Sequence, residues 1–101
     1  MSESKTADRL ELVSIDLSQA ETSAQLQVLL ADSLGFPGWY GHNWDAFWDA
    51  ITGLVAMPRR VLLIGWAAFQ ARLPEDARIM KQTLDDMAAE FPALAAKVVY
   101  R

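Results

Sequence analysis

Two aspartates at helical spacing, with a tryptophan beside one of them, form the pattern in this chain that could do chemistry. Asp45 and Asp49 are four residues apart, and Trp48 directly precedes the second. Residues i and i+4 lie on one face of a helix, where two like charges destabilise it by about 0.2–0.5 kcal/mol. Asp45 falls in the first turn, where the helix dipole favours a carboxylate, but Asp49 lies too far along to share that benefit fully. Folding alone does not explain the pair, whereas a cationic partner would relieve its repulsion.

A loop and a short helix must position these side chains. The segment 35–41 holds three glycines and a proline around aromatic residues, which predicts a loop. Asn43 is a good N-cap residue for a helix that runs from Trp44 to about Thr52 and ends at Gly53.

The helical wheel of this segment separates a core face from a polar face. At about 100° per residue, four apolar side chains fall on one arc that faces the core: Phe47, Ala50, Ile51 and Leu54. Asp45, Trp48 and Asp49 fall well away from that arc, so we expect Trp48 to be exposed between two carboxylates, and Trp44 at the boundary to be half-buried. Exposed tryptophan beside unpaired charge is typical of the centre of a protein–protein interface.

The same residues admit catalytic alternatives, which the sequence supports less well. His42 is the only histidine and there is no cysteine, so no nucleophile pairs with it. A small enzyme using His42 with Asp45 stays open as an alternative. A metal site would need more ligands at matched spacing than His42, Asp45 and Asp49 provide. A glycosidase-like carboxylate pair would need a substrate cleft, for which a chain of 101 residues leaves little scaffold. We therefore predict no enzyme, no metal and no cofactor.

Composition narrows the class of partner. The chain has 101 residues, 52% of them hydrophobic, which predicts a single domain over 1–101 with a disordered start at 1–9. The net charge of −4 disfavours nucleic acid as a ligand and favours a basic protein. The polar first residues and the lack of a long apolar run predict a cytoplasmic protein that does not bind a membrane. We expect it to be a monomer when free.

The remaining elements alternate between strands and helices. Apolar periodicity and turn residues predict, in chain order, a strand at 10–17, a helix closed by Gly35, a buried strand at 61–65, a short helix from Trp66 to Phe69, a longer helix from Pro74 to about Glu90 and a last strand at 96–100. Together with the helix at Trp44, this order predicts an α/β fold in which helical crossovers join the strands of a small parallel sheet.

Several residues of the loop and short helix resemble the signature of the barstar family: Pro37, Trp39-Tyr40-Gly41, Asn43, Asp45-Ala46, Trp48-Asp49 and Thr52-Gly53. A weaker similarity continues in Leu63, Trp66 and Phe69. The resemblance implies a three-layer fold with a three-stranded parallel sheet flanked by helices. It also implies an intracellular inhibitor that plugs the active site of a basic secreted ribonuclease with residues 37–53.

The resemblance further implies which residues bind the enzyme. The central set is Trp39, Asp45, Trp48 and Asp49, with Asp49 standing where a substrate phosphate sits, and the full set of expected contacts is Trp39, Tyr40, Gly41, His42, Asn43, Asp45, Trp48, Asp49, Thr52 and Gly53. An acid of the last long helix is also expected to contribute, with Asp85, Asp86 and Glu90 as candidates. Trp39 and Leu54 depart from the best-known family member, which leaves open an immunity protein for a toxin that is not a ribonuclease, or a regulator of another basic protein.

Overall fold

The computed structural model describes residues 9–101, so the disorder predicted for 1–9 lies, apart from Arg9, outside the described residues. Three strands and four α-helices form in this part of the chain. In chain order they are β1 (Leu12–Asp16), α1 (Ser23–Leu34), α2 (Trp44–Asp49), β2 (Arg60–Ile64), α3 (Trp66–Arg72), α4 (Pro74–Glu90) and β3 (Lys97–Tyr100). A 3-10 turn follows β1 at Leu17–Gln19, and a π-helical turn follows α2 at Ala50–Leu54.

The strands form one parallel sheet in the order β1-β2-β3. Val13 is in register with Val61, and Val61 with Val98. The apolar run of β2 occupies the central strand, which confirms its predicted place in the middle of a sheet. The parallel sheet with helical crossovers confirms the predicted α/β class.

The two faces of the sheet are covered differently. Ile15, Val61 and Leu63 point to one face and belong to a core completed by residues from all four helices, such as Leu26, Phe47, Phe69 and Met80. The alternate residues point to the other face, where Leu12 is 47% exposed and Ile64 is 40% exposed. The described helices thus lie against one face, and the sheet and helices form two layers in place of the three that the resemblance implied.

Local signals set the helix bounds. The Thr22 hydroxyl accepts from the Gln25 amide at 3.1 Å to cap α1, and Gly35, at φ 73°, ends it in the left-handed region. Pro74 opens α4, with two acids in the first turn. These starts and stops confirm the predicted ones.

Arg9 joins two loops at the end of the sheet where the strands begin. Its guanidinium donates to the carbonyl oxygens of Met57 at 2.7 Å and of Pro58, Ala93 and Ala95 at 3.1 Å each. These carbonyls belong to the segments that lead into β2 and β3. One side chain therefore fixes the entry of two neighbouring strands.

We expect Arg9→Ala to lower the free energy of unfolding by about 2 kcal/mol. Hydrogen bonds to charged groups contribute about 1.5–3 kcal/mol each, but water can bind the carbonyls that lose the guanidinium, so the net loss is smaller than the sum. Urea denaturation followed by circular dichroism measures this change. The control is Arg60→Ala, because Arg60 is exposed and its side chain has no hydrogen bond or ion pair within residues 9–101. Equal losses in the two variants would contradict the assigned role of Arg9.

Candidate partner-binding site

The first turn of α2 is fixed by the residues just before it. The Asn43 carboxamide oxygen accepts from the Ala46 amide at 2.7 Å, as expected of the N-cap, and its Nδ2 donates to the Gly41 carbonyl at 3.2 Å. A Cβ at Gly41 would lie 3.2 Å from the Ala46 Cβ, so a side chain there would crowd the helix. His42 has φ 54°, a left-handed conformation that few residues other than glycine adopt. Gly41, His42 and Asn43 therefore set how α2 is presented.

The buried side of α2 is mostly as predicted. Phe47, Ala50 and Ile51 are at most 1% exposed, but Leu54 is 41% exposed, so its predicted place in the core is wrong. The predicted end of the helix at Gly53 is also wrong, because the chain continues as the π-helical turn to Leu54. Its i→i+5 hydrogen bonds, such as Val55 N–H to the Ala50 carbonyl at 3.1 Å, widen the turn and move Leu54 off the apolar arc.

Asp45 and Asp49 both lie exposed on the outer side of α2. Neither carboxylate has a hydrogen bond or an ion pair with any other described residue: the ion pairs of residues 9–101 are Arg59–Glu11, Arg78–Glu75 and Lys81–Asp85. Their mutual repulsion is therefore not relieved by a cation from this part of the chain. Both carboxylates are open to a partner.

Trp39 and Trp48 differ in exposure. Trp39, in the loop before α2, is 73% exposed. Trp48 is only half-buried, and its ring lies against Phe91 with 6.2 Å between ring centroids. Trp48 is less exposed than predicted because Phe91, which directly follows α4, covers part of its ring. Phe91, itself 40% exposed, extends this surface and was missed.

Trp44 is half-buried as predicted and ties α2 to its neighbours. Its Nε1 donates to the Asp76 carboxylate at 3.0 Å, and the other oxygen of that carboxylate accepts from the Ser23 hydroxyl. Asp76 stands in the first turn of α4, and Ser23 opens α1. One carboxylate thus joins three helices and fixes the position of α2.

A groove of about 390 Å³ runs between α2 and α4. Its walls carry three carboxylates, from Asp45, Asp86 and Glu90, beside the indoles of Trp44 and Trp48. Of the three acids considered on α4, Asp85 lies elsewhere: it pairs with Lys81 at 3.0 Å and lines a different groove, against α3. The structure therefore brings Asp86 and Glu90, and not Asp85, next to α2.

The π-helical turn holds the last two expected contacts. The Thr52 hydroxyl donates to the Trp48 carbonyl at 2.7 Å, so its proton is used within the helix. Gly53 is exposed, and a Cβ there would meet no atom within 4 Å. Their backbone lies at the surface beside Leu54.

Tyr40 belongs to the core instead of the surface. It is 4% exposed, its ring packs 4.8 Å from the ring of Phe36, and its hydroxyl donates to the buried side chain of Gln27. Burial raises the pKa of Tyr40 to about 12. The Tyr40 hydroxyl is therefore used inside the protein, and a direct contact of Tyr40 with a partner remains a prediction. The exposed ring of His42 packs over it, with centroids 5.1 Å apart.

We expect Tyr40→Phe to lower the free energy of unfolding by about 1–3 kcal/mol, because the buried Gln27 loses its donor. Between pH 10 and about 12 only the unfolded chain releases the Tyr40 proton, so stability falls as the pH rises through this window. The variant should show a shallower fall, with the contribution of Tyr100, whose pKa is also raised to about 12, remaining. Urea denaturation at pH 8 and pH 11 measures both effects. An unchanged pH dependence would contradict the assignment.

Within residues 9–101, no three histidine, cysteine or acidic side chains lie close enough together to hold a metal ion. None of the helices described is both long and apolar enough to cross a bilayer.

Comparison with known proteins identifies the family of this chain. The family model described as Barstar (barnase inhibitor) matches residues 10–100. The chain is also 50% identical over 34 residues to a protein of Bacillus subtilis (strain 168) named "Putative ribonuclease inhibitor YrdF". That match spans 34% of this chain and 37% of the relative. Since the family model covers nearly the whole of the described structure, the chain belongs to the barstar family.

Proposed function

We propose that this protein is a cytoplasmic inhibitor of a basic ribonuclease that the producing cell secretes. It acts without catalysis, as a monomer that forms a stoichiometric complex and closes the active site of the enzyme with the loop and helix of residues 37–53. The observation that carries the proposal is the pair Asp45 and Asp49, exposed on α2 without a cation of the described chain to balance it. Family membership and the relative's name support ribonuclease as the client.

Asp49 is the residue we assign to the centre of the contact. A ribonuclease active site binds a phosphate, and a carboxylate accepts the same hydrogen bonds from arginine, in a paired geometry. Asp49 is exposed at the end of α2 and directly precedes the π-helical turn. Asp45, one turn earlier, adds a second negative charge to the same cluster.

The groove between α2 and α4 supports a second region of contact. Asp86 and Glu90 face Asp45 across it, so a basic side chain that enters meets carboxylates from both helices. The Trp44 and Trp48 indoles in its walls offer ring faces to a cation, which is attracted to the π system. We assign to Asp86 and Glu90 the contribution expected of the last long helix.

Two side chains at the edge of the site support a partner whose surface differs in shape from that of the enzyme bound by the best-known family member. Trp39 is 73% exposed and Leu54 is 41% exposed, and both are departures from that member. Large apolar side chains at the edge of an interface select partners by shape. A toxin that is not a ribonuclease, or another basic protein, is the alternative client that these two residues leave open.

Titration of the purified protein into barnase, and into the basic ribonucleases secreted by the producing organism, tests the proposal. We expect RNA cleavage by at least one of these enzymes to fall linearly to zero at one equivalent of inhibitor. The variant Asp45→Asn/Asp49→Asn, which keeps the side-chain shape and removes both charges, should leave cleavage intact at the same ratio. A protein that inhibits none of them, but copurifies with a toxin lacking ribonuclease activity, would overturn the ribonuclease assignment and favour the alternative client.

A further inference from the structure

One face of the sheet is covered by no helix of residues 9–101, and it carries both apolar and basic side chains. Two large apolar side chains on it are exposed, Leu12 at 47% and Ile64 at 40%, and Leu62 and Val99 on the same face are half-buried. Leu10, which precedes β1 with the same alternation, is 63% exposed. A contiguous apolar patch with a polar rim typically marks an interaction site.

The rim of this patch is positively charged in an otherwise acidic protein. Among residues 9–101, three basic side chains have neither a hydrogen bond nor an ion pair to another described residue. They are Arg60, Lys97 and Arg101, and the alternation of β2 and β3 places all three on the open face. The other basic residues described bind carbonyls or carboxylates, so unused positive charge is concentrated here.

The register of the strands brings two of these cations together. Arg60 and Lys97 are paired directly across β2 and β3, an arrangement in which like charges are destabilising. The nearest acid on this face is Asp16 at the far end of β1, and its carboxylate already accepts from the amide and hydroxyl of Ser18. Folding therefore gains nothing from placing Arg60 beside Lys97, whereas an anionic partner would relieve their repulsion.

We propose that this face docks an acidic amphipathic helix of a partner protein, which would form the third layer over the sheet. An apolar stripe would cover Leu12, Leu62, Ile64 and Val99, and its flanking carboxylates would meet Arg60 and Lys97. A short helix fits better than nucleic acid or an anionic membrane. Those larger polyanions would extend beyond this face and be repelled by the acidic rest of the chain, because charges interact over a Debye length of about 10 Å. The docking face lies apart from α2 and does not depend on the inhibitor function.

Titration of the isotope-labelled protein, followed by backbone amide shifts, tests the proposal with two synthetic helical peptides. Both carry the same leucine stripe, and their flanking positions are all glutamate in one and all lysine in the other. We expect only the glutamate peptide to shift the amides of β1, β2 and β3. The variant Arg60→Glu/Lys97→Glu should weaken this binding at least tenfold, while Arg78→Glu/Lys81→Glu on α4, with the same change in net charge, should not.

Three outcomes would overturn the proposal. They are absence of shifts with the glutamate peptide, equal binding of the lysine peptide, and binding of single-stranded RNA or of anionic lipid vesicles in place of the glutamate peptide. Ribonuclease inhibition by Arg60→Glu/Lys97→Glu is measured in parallel. Retained inhibition with lost peptide binding supports two separate faces, and loss of both activities in a folded variant would contradict their independence.

Discussion

Asp49→Ala should raise the dissociation constant of the complex with its ribonuclease by about two to four orders of magnitude. On binding, the carboxylate becomes the buried partner of cationic groups of the enzyme, and its removal leaves those groups uncompensated. Breaking a buried ion pair in this way costs about 3–5 kcal/mol, and each 1.4 kcal/mol is tenfold in affinity. Isothermal titration calorimetry, or inhibition kinetics where the affinity is too high for calorimetry, measures the change.

The matched control is Asp32→Ala, which removes the same charge from the exposed side of α1. We expect it to slow association slightly through the weaker overall field and to leave the dissociation rate unchanged. The loss of affinity caused by Asp86→Ala should lie between those of the other two variants. Asp86 lines the groove beside α2, but it belongs to α4. Equal affinities for Asp49→Ala and Asp32→Ala, with both variants folded, would defeat the assignment of the site.

Phe47→Ala should lower the free energy of unfolding by about 3–5 kcal/mol, a large part of the stability of a domain this size. Phe47 is 1% exposed, and its ring contacts those of Phe36 at 5.8 Å and Trp44 at 5.3 Å. It is the large side chain of α2 that is fully buried in the core, and it holds the helix there together with the Trp44–Asp76 contact. Urea denaturation followed by circular dichroism measures the loss.

Phe47→Leu isolates the effect of the cavity, because alanine and leucine both favour a helix more than phenylalanine does. It keeps most of the buried volume, and we expect it to cost well under half as much as Phe47→Ala. The affinity of Phe47→Ala for the ribonuclease should also fall, because α2 loses the contact that orients it, even under conditions where the variant is mostly folded. A full-affinity Phe47→Ala variant with an unchanged midpoint of denaturation would show that α2 is positioned by something else.

Much of the fold could be predicted because local signals and long-range packing agree. Asn43 caps α2, Gly35 ends α1, and the apolar run of β2 fills the central strand, each for a reason contained in a few neighbouring residues. The number of layers could not be predicted in the same way. A strand with one open face usually shows it by polar side chains at alternate positions. Here Leu12 and Ile64 are apolar although they are exposed, so the sequence does not distinguish the open face from a covered one.

Two differences between the predicted and the observed site arise from contacts between distant segments, and a third arises from a local change of helix type. Trp48 is covered by Phe91, more than forty residues away, and Tyr40 is held by Gln27 on α1. Leu54 was misplaced because a wheel with a constant angle per residue cannot include a π-helical turn. The exposed acids were predicted well because an unfavourable i, i+4 pair is a purely local feature.

Hydrogen exchange of the free protein and of its complex with the ribonuclease tests the central claim most directly. That claim is that the acidic surface of α2 is open in the free protein and is the surface that the enzyme closes over. We expect the amides of residues 38–54 to exchange more slowly in the complex, with those of β1 and β3 unchanged. Protection of some other surface, with the amides of α2 exchanging as fast as in the free protein, would contradict the account.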